Sequence, residues 1–151
     1  MAFIMRSNSR ISPITIYTDG AIGNGRQTGI AAIAKNGQGH FLGWVSQQRP
    51  AMTNNEAEYQ AVLLGLQLAK QLNGQIVEIL SDSATVVWQM QGRSRVNSSR
   101  LKPLHQQICI AIYQFQAVSF QLIKRTENNL ADALANDALS GRVVAMPIKS
   151  V

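Results

Sequence analysis

A chain of 151 residues, 46% of them hydrophobic, carries enough apolar material for one well-buried core and too little for two independent domains. Lys and Arg number 14 against 8 Asp and Glu, and the resulting net charge of +6 with a pI near 10.0 favours an anionic partner such as nucleic acid. The single cysteine, Cys109, excludes an internal disulfide and a zinc cluster, and no segment has the apolar length of a signal peptide or a membrane span, so the expectation is a cytoplasmic protein with no membrane contact.

Residues 1–12 show neither helical nor strand periodicity and read as a flexible N-terminal extension. Residues 14–18 are a β-branched and aromatic run that stops at Asp19-Gly20, which predicts a first strand with its acid at the C-terminal end, followed by a turn at Gly23-Asn24-Gly25. Two further strands are predicted over 29–35 and 40–47, joined as a hairpin by Asn36-Gly37-Gln38-Gly39. After Pro50 the period changes. Ala57, Ala61, Leu64, Leu68 and Leu72 fall at helical spacings, and Asn73-Gly74 ends the run. A short apolar strand over 76–80 leads into Ser81-Asp82-Ser83 and a short helix over 85–91 that Gly92 stops. A strand followed by a crossover helix is expected to lie parallel to the first strand. A helix over 99–115, a strand over 118–124 and a closing helix over 128–139 complete the order βββαβααβα. That order predicts an α/β fold in which helices flank a mixed sheet, with one domain over 13–141 and a C-terminal tail over 142–151.

In a chain poor in acid, four carboxylates stand out by their placement. Asp19 and Asp82 each end a predicted central strand, where ligands of α/β sheets tend to sit, although either is also an ordinary turn or N-cap residue. In Thr53-Asn54-Asn55-Glu56-Ala57-Glu58, Thr53 and Glu56 fit a capping box, which explains Glu56 structurally. Glu58 has no such role and stands among residues at core spacing, so it is the better ligand candidate. Asp132, in the first turn of the closing helix, needs no explanation beyond the helix dipole, and Glu127, Asp137 and Glu78 read as solvated or first-turn charges. Asn54 and Asn55 are either turn residues or donors to phosphate and base edges. Neither histidine stands near a candidate nucleophile, and no Gly-Lys-Ser phosphate loop is present.

Taken together, Tyr17-Thr18-Asp19-Gly20, Thr53-Asn54-Asn55 followed by Glu58, Ser81-Asp82-Ser83 and Glu127-Asn128 followed by Ala131-Asp132 resemble, in order, the motifs of the type 1 ribonuclease H family over about residues 14–141. The resemblance implies the ribonuclease H-like fold, a five-stranded mixed sheet flanked by helices, with Asp19, Glu58, Asp82 and Asp132 as the catalytic, metal-binding acids. It implies endonucleolytic hydrolysis of the RNA strand of an RNA/DNA hybrid by a two-metal-ion mechanism, leaving 5′-phosphate and 3′-hydroxyl ends, with Mg²⁺ as the cofactor and Mn²⁺ as its substitute. By the same resemblance Asn24, Asn54 and Asn55 contact the hybrid, Thr53 holds a DNA-strand phosphate, and Arg93 and Arg95, with Arg100 and Lys102, stand where some relatives carry a basic protrusion; an ordinary solvated face explains these four cations equally well.

Three departures bear on these expectations. The segment after Asp19 is one residue shorter than the family's, which displaces Asn24, and Ala84 stands where many relatives have Gln. Lys124-Arg125-Thr126-Glu127-Asn128 replaces a longer histidine-bearing loop, so the chain resembles a short-loop subgroup lacking the catalytic-loop histidine, with turnover expected to be slower or more Mn²⁺-dependent. The competing functions are a non-catalytic nucleic-acid-binding domain of the same fold and a related nuclease acting on double-stranded RNA. A monomer is the simplest state.

Overall fold

The computed structural model describes residues 12–142; apart from Ser12 and Arg142, the expected N-terminal extension and C-terminal tail lie outside the described residues. Three strands come first, β1 (Ile14–Ile22), β2 (Gln27–Lys35) and β3 (Phe41–Pro50), followed by helix α1 (Asn54–Gln71) and strand β4 (Ile76–Ser81). Helices α2 (Ala84–Met90) and α3 (Leu101–Ile112), strand β5 (Ala117–Leu122), a 3-10 turn (Arg125–Glu127) and helix α4 (Asn129–Leu139) complete the order. The sheet runs β3-β2-β1-β4-β5, antiparallel across β1, β2 and β3 and parallel across β1, β4 and β5, as expected of a strand that follows a crossover helix.

Alternation along β1 sends Ile14, Ile16 and Thr18 to one face and Tyr17, Asp19 and Ala21 to the other. On the first face α1 lies close to the sheet, because a side chain at Gly65 would stand 2.8 Å from Ile16 and 2.9 Å from Thr18. Tyr59, Val62, Leu68, Ile79, Val86, Val87 and Ile108 fill the core there, with α2 and α3 contributing. On the second face α4 is the one helix among the described residues that covers the sheet, over a small cluster of Ala21, Ala31 and Ala135.

Several element ends differ from expectation for physical reasons. β1 does not stop at Asp19 but continues to Ile22, because Gly20, Ala21 and Ile22 pair with Ile30, Gly29 and Thr28 of β2; the acid lies within the strand. In the β2–β3 turn the left-handed conformation falls on Gly39 (φ 82°) rather than at Asn36-Gly37, and Asn36 Oδ1 accepts from the Gln38 and His40 amides. Helix α1 ends with Asn73 in the left-handed region (φ 58°), while Gly74 supplies room, since a Cβ there would lie 2.9 Å from Ile14. Glu78, expected to be solvated, is half-buried on central β4.

Candidate active site

The parallel register pairs Tyr17 with Leu80, and continuing it by two residues sets Asp19 of β1 beside Asp82 just past the end of β4. Glu58 reaches the same point from α1. Gly20 permits this, because a Cβ at that position would stand 2.7 Å from the main chain of Ala57; without one, the strand approaches the helix closely enough for the Gly20 amide to donate to Glu58 Oε1 at 2.9 Å. Oxygens of Asp19, Glu58 and Asp82 all lie within 4.8 Å of one another. Asp132, exposed in the first turn of α4, lines the same open cleft of about 440 Å³, and Asn136 one turn on donates to its carboxylate at 3.2 Å.

The local sequence explains each placement. Thr53 caps α1, its hydroxyl accepting from the Glu56 amide at 3.2 Å while Glu56 Oε1 accepts from the Thr53 amide at 3.0 Å. This box fixes where the helix begins, and so where Glu58 projects. Ser83 caps α2 immediately after Asp82, accepting from the Val86 amide at 3.4 Å.

Asp19 and Glu58 resist ionisation in this setting. Burial above all, then the negative charges of Glu58 and Asp82 and a hydrogen bond with Asp132, push Asp19 up to about 9. Glu58 is raised to about 7 by burial and by the charge of Asp82, against the opposing pull of the Gly20 amide, a hydrogen bond with Asp19 and the positive charge of Arg125. A cation supplied to the cleft opposes both shifts, because it favours the ionised form that burial and neighbouring negative charge disfavour. The donors are hard carboxylate oxygens with no His or Cys among them, a set that suits Mg²⁺ or Mn²⁺ rather than a softer metal. The site therefore fits the divalent ions expected of it.

Of the other expected contacts, Asn54 lines the cleft and Thr53 and Asn55 adjoin it at the start of α1. Asn24 is exposed on the β1–β2 turn, whose Gly23 sits against Leu139 at the far end of α4, and it does not line the cleft. Arg93 and Arg95 stand outside it as well, on the exposed loop after α2, with Arg93 over the Trp88 ring at 5.3 Å. Arg125, Asn129 and Asn136 also line the cleft, and sequence patterns alone do not single them out. Two weak signals point to them: Arg125 lies in the segment that replaces the histidine loop, and Asn136 stands four residues after Asp132, the spacing at which helical side chains meet.

Residues 17–138 match the family described as reverse transcriptase-like. The chain belongs to that family, within the type 1 ribonuclease H domains. The bifunctional protein Rv2228c of Mycobacterium tuberculosis is 39% identical over 87 residues, 58% of this chain and 24% of the relative. The solved N-terminal ribonuclease H domain of Rv2228c has a TM-score of 0.81 and 32% identity over 87% of this chain and 96% of that one. Ribonuclease HI of Halobacterium salinarum is 30% identical over 124 residues, 82% of this chain and 62% of the relative. The structure of ribonuclease H1 from that archaeon has a TM-score of 0.82 at 27% identity, covering 85% and 98% of the two chains. LC11-RNase H1, solved in complex with an RNA/DNA hybrid, has a TM-score of 0.78 and 31% identity over 85% of this chain and 97% of that one. The matched region spans less than two thirds of both curated relatives, 24% of the mycobacterial protein and 62% of the archaeal one.

Proposed function

We propose that this ribonuclease H domain is a divalent-metal-dependent endonuclease that hydrolyses the RNA strand of RNA/DNA hybrids and leaves 5′-phosphate and 3′-hydroxyl ends. The carrying observation is the convergence of Asp19, Glu58 and Asp82 within 4.8 Å, with Asp132 on the same cleft, in a chain of net charge +6. A domain that only bound nucleic acid would gain nothing from four carboxylates facing a phosphate backbone. The hybrid bound to LC11-RNase H1 supports the substrate class.

Two Mg²⁺ ions, or Mn²⁺ in their place, supply when bound a polarised water and neutralisation of charge on the leaving 3′ oxygen. Asp19, Glu58, Asp82 and Asp132 hold those ions. Arg125 contributes positive charge at the cleft for the approaching polyanion. The Thr53 hydroxyl accepts from the Glu56 amide and so keeps its own proton free to donate to a DNA-strand phosphate. Asn54 and Asn55 read 2′-hydroxyls and base edges across the shallow minor groove, and Asn24, Arg93 and Arg95 extend the contact surface beyond the cleft.

The test is cleavage of a fluorescent RNA/DNA hybrid, with an RNA duplex beside it, in Mg²⁺, in Mn²⁺ and with chelator, alongside Asp82→Asn. Cutting of the RNA strand alone, dependent on metal and lost in the variant, is expected. Tight binding without cutting in either metal would instead favour the non-catalytic domain, and equal cutting of an RNA duplex would favour the double-stranded RNA nuclease.

A further inference from the structure

Asn128 belongs to a motif that the metal-binding reading leaves without a task. Its side chain is 1% exposed and holds two partners with one nitrogen: Nδ2 donates to the Thr18 carbonyl at 2.9 Å and to Asp82 Oδ2 at 3.2 Å. Thr18 directly precedes Asp19. The main chain of Asn128 adds a third link, its carbonyl accepting from the Asp132 amide at 3.0 Å. One residue thus connects the main chain beside Asp19, the carboxylate of Asp82 and the first turn that carries Asp132.

The parallel ladder between β1 and β4 has its last paired residues at Tyr17 and Leu80, so Asp19 and Asp82 stand past the rungs that would fix their separation. The Thr18 hydroxyl, donating to the Leu80 carbonyl at 3.3 Å, and the Asn128 amide tie the two strands there. Both groups facing Nδ2 are acceptors, which dictates that the amide nitrogen and not its oxygen points at them. A carboxylate here would oppose both, and a hydroxyl would supply one donor where two are needed. Oδ1, by contrast, is buried with no partner among the described residues, a cost that the fold tolerates while Nδ2 stays in place.

We propose that Asn128 is a positioning residue, which sets the separation of Asp19 and Asp82 past the last rung between β1 and β4 and the orientation of the Asp82 carboxylate for metal binding. The inference rests on the metal-dependent nuclease reading above. Its role is exerted through Asp82 and the main chain of Thr18, without contact to the substrate.

Three quantities test it in the wild-type chain, Asn128→Ala and Asn128→Ser: Mn²⁺ affinity by titration calorimetry without nucleic acid, kcat and KM on the hybrid, and thermal midpoint. Measured well below the midpoint, Asn128→Ala is expected to weaken Mn²⁺ binding and lower kcat, each by roughly 10–100-fold, the usual effect of removing a partner that orients a metal ligand. KM for the hybrid stays unchanged, and Asn128→Ser, with one donor left, falls between. Variants that melt earlier yet bind Mn²⁺ and turn over like wild type once folded would reduce Asn128 to a structural tie and overturn the proposal. If the alanine variant does not fold, the serine variant decides by the same criterion. A wild-type chain that neither binds Mn²⁺ nor cuts would remove the nuclease reading itself, whereas an active wild type matched by both variants removes only the role of Asn128.

Discussion

The two faces of β1 do opposite work. Toward α1, Ile14, Ile16 and Thr18 meet a deep layer of large side chains, among them Leu68, Ile79 and Ile108, each of which contributes roughly 1.5–3 kcal/mol when fully buried. Toward α4, the layer is Ala21, Ala31 and Ala135, which bury little area but let backbones approach. A Cβ at Gly29 would stand 1.9 Å from the Ala135 carbonyl oxygen, so α4 rests almost directly on β2. One face holds the fold together, and the other brings the start of α4, with Asn128 and Asp132, to Asp19 within β1 and to Asp82 just past the end of β4. Apart from Glu58, which α1 supplies, stability and chemistry are separated by the two-residue alternation of a single strand.

Substitutions on the two faces should therefore fail differently. Asp19→Asn is expected to abolish cleavage while preserving or improving hybrid binding, since it removes charge and little volume; loss of binding together with cleavage would mean that the acid acts structurally. Leu68→Ala should cost about 2–5 kcal/mol in a denaturant titration and leave turnover per folded molecule unchanged. Gly29→Val acts on the opposite face, where the obstacle is helix main chain and cannot rotate away. It is expected to cost about 1–3 kcal/mol through overpacking and, unlike Leu68→Ala, to lower kcat, because α4 must shift and carry Asp132 with it. Equal turnover in these two variants would dissolve the distinction between the faces.

The acids also make stability depend on pH in a direction fixed by their shifts. Asp19 is raised from 3.8 to about 9 and Glu58 from 4.5 to about 7, so between those limits the folded, metal-free chain binds more protons than the unfolded one. The stability contributed by these protons is fully present below about pH 4 and is lost as pH rises through about 7 and then about 9. The thermal midpoint in chelator should fall across that range. Saturating Mg²⁺ should flatten the fall by binding the ionised acids, and Asp19→Asn in chelator should melt higher than wild type at pH 7 but not at pH 3. A wild-type midpoint that rises from pH 5 to pH 8 in chelator would contradict the assigned shifts.

How much of this architecture is legible in the sequence follows from how local each signal is. The period change after Pro50, the capping box at Thr53 and Glu56, and the turn at Gly92 act within a few residues, and all appear where the pattern places them. The capping box also separates Glu56 from Glu58, because it gives the first a local task and leaves the second without one. The extent of β1 is not legible, because Asp19-Gly20 reads locally as a stop and continues as strand only through pairing with residues 28–31. Asp132 is indistinguishable by local pattern from an ordinary dipole partner, since only the packing of its helix against β1 and β2 brings it to the cleft. Asn128 is hidden for the same reason: its side-chain partners lie 110 and 46 residues away, and no spacing rule spans that distance.

The smallest expected effect lies at the start of α1, where the stabilising and substrate-facing roles meet in one side chain. Thr53→Ala removes the acceptor for the Glu56 amide and should cost about 1 kcal/mol, a typical loss for an N-cap. The Arg100–Glu56 ion pair, 3.5 Å long with an exposed arginine, does little to offset it, so Arg100→Ala should be close to neutral in stability. Because Asn54 lines the cleft, fraying of this turn is expected to raise KM for the hybrid before it touches kcat. Thr53→Asp separates the two roles: the carboxylate still caps the helix, so the thermal midpoint holds, but it replaces a phosphate donor with a negative charge and should weaken hybrid binding. If Thr53→Asp binds hybrid as tightly as wild type while Thr53→Ala does not, Thr53 serves the site through the helix end alone and the phosphate contact must be assigned elsewhere.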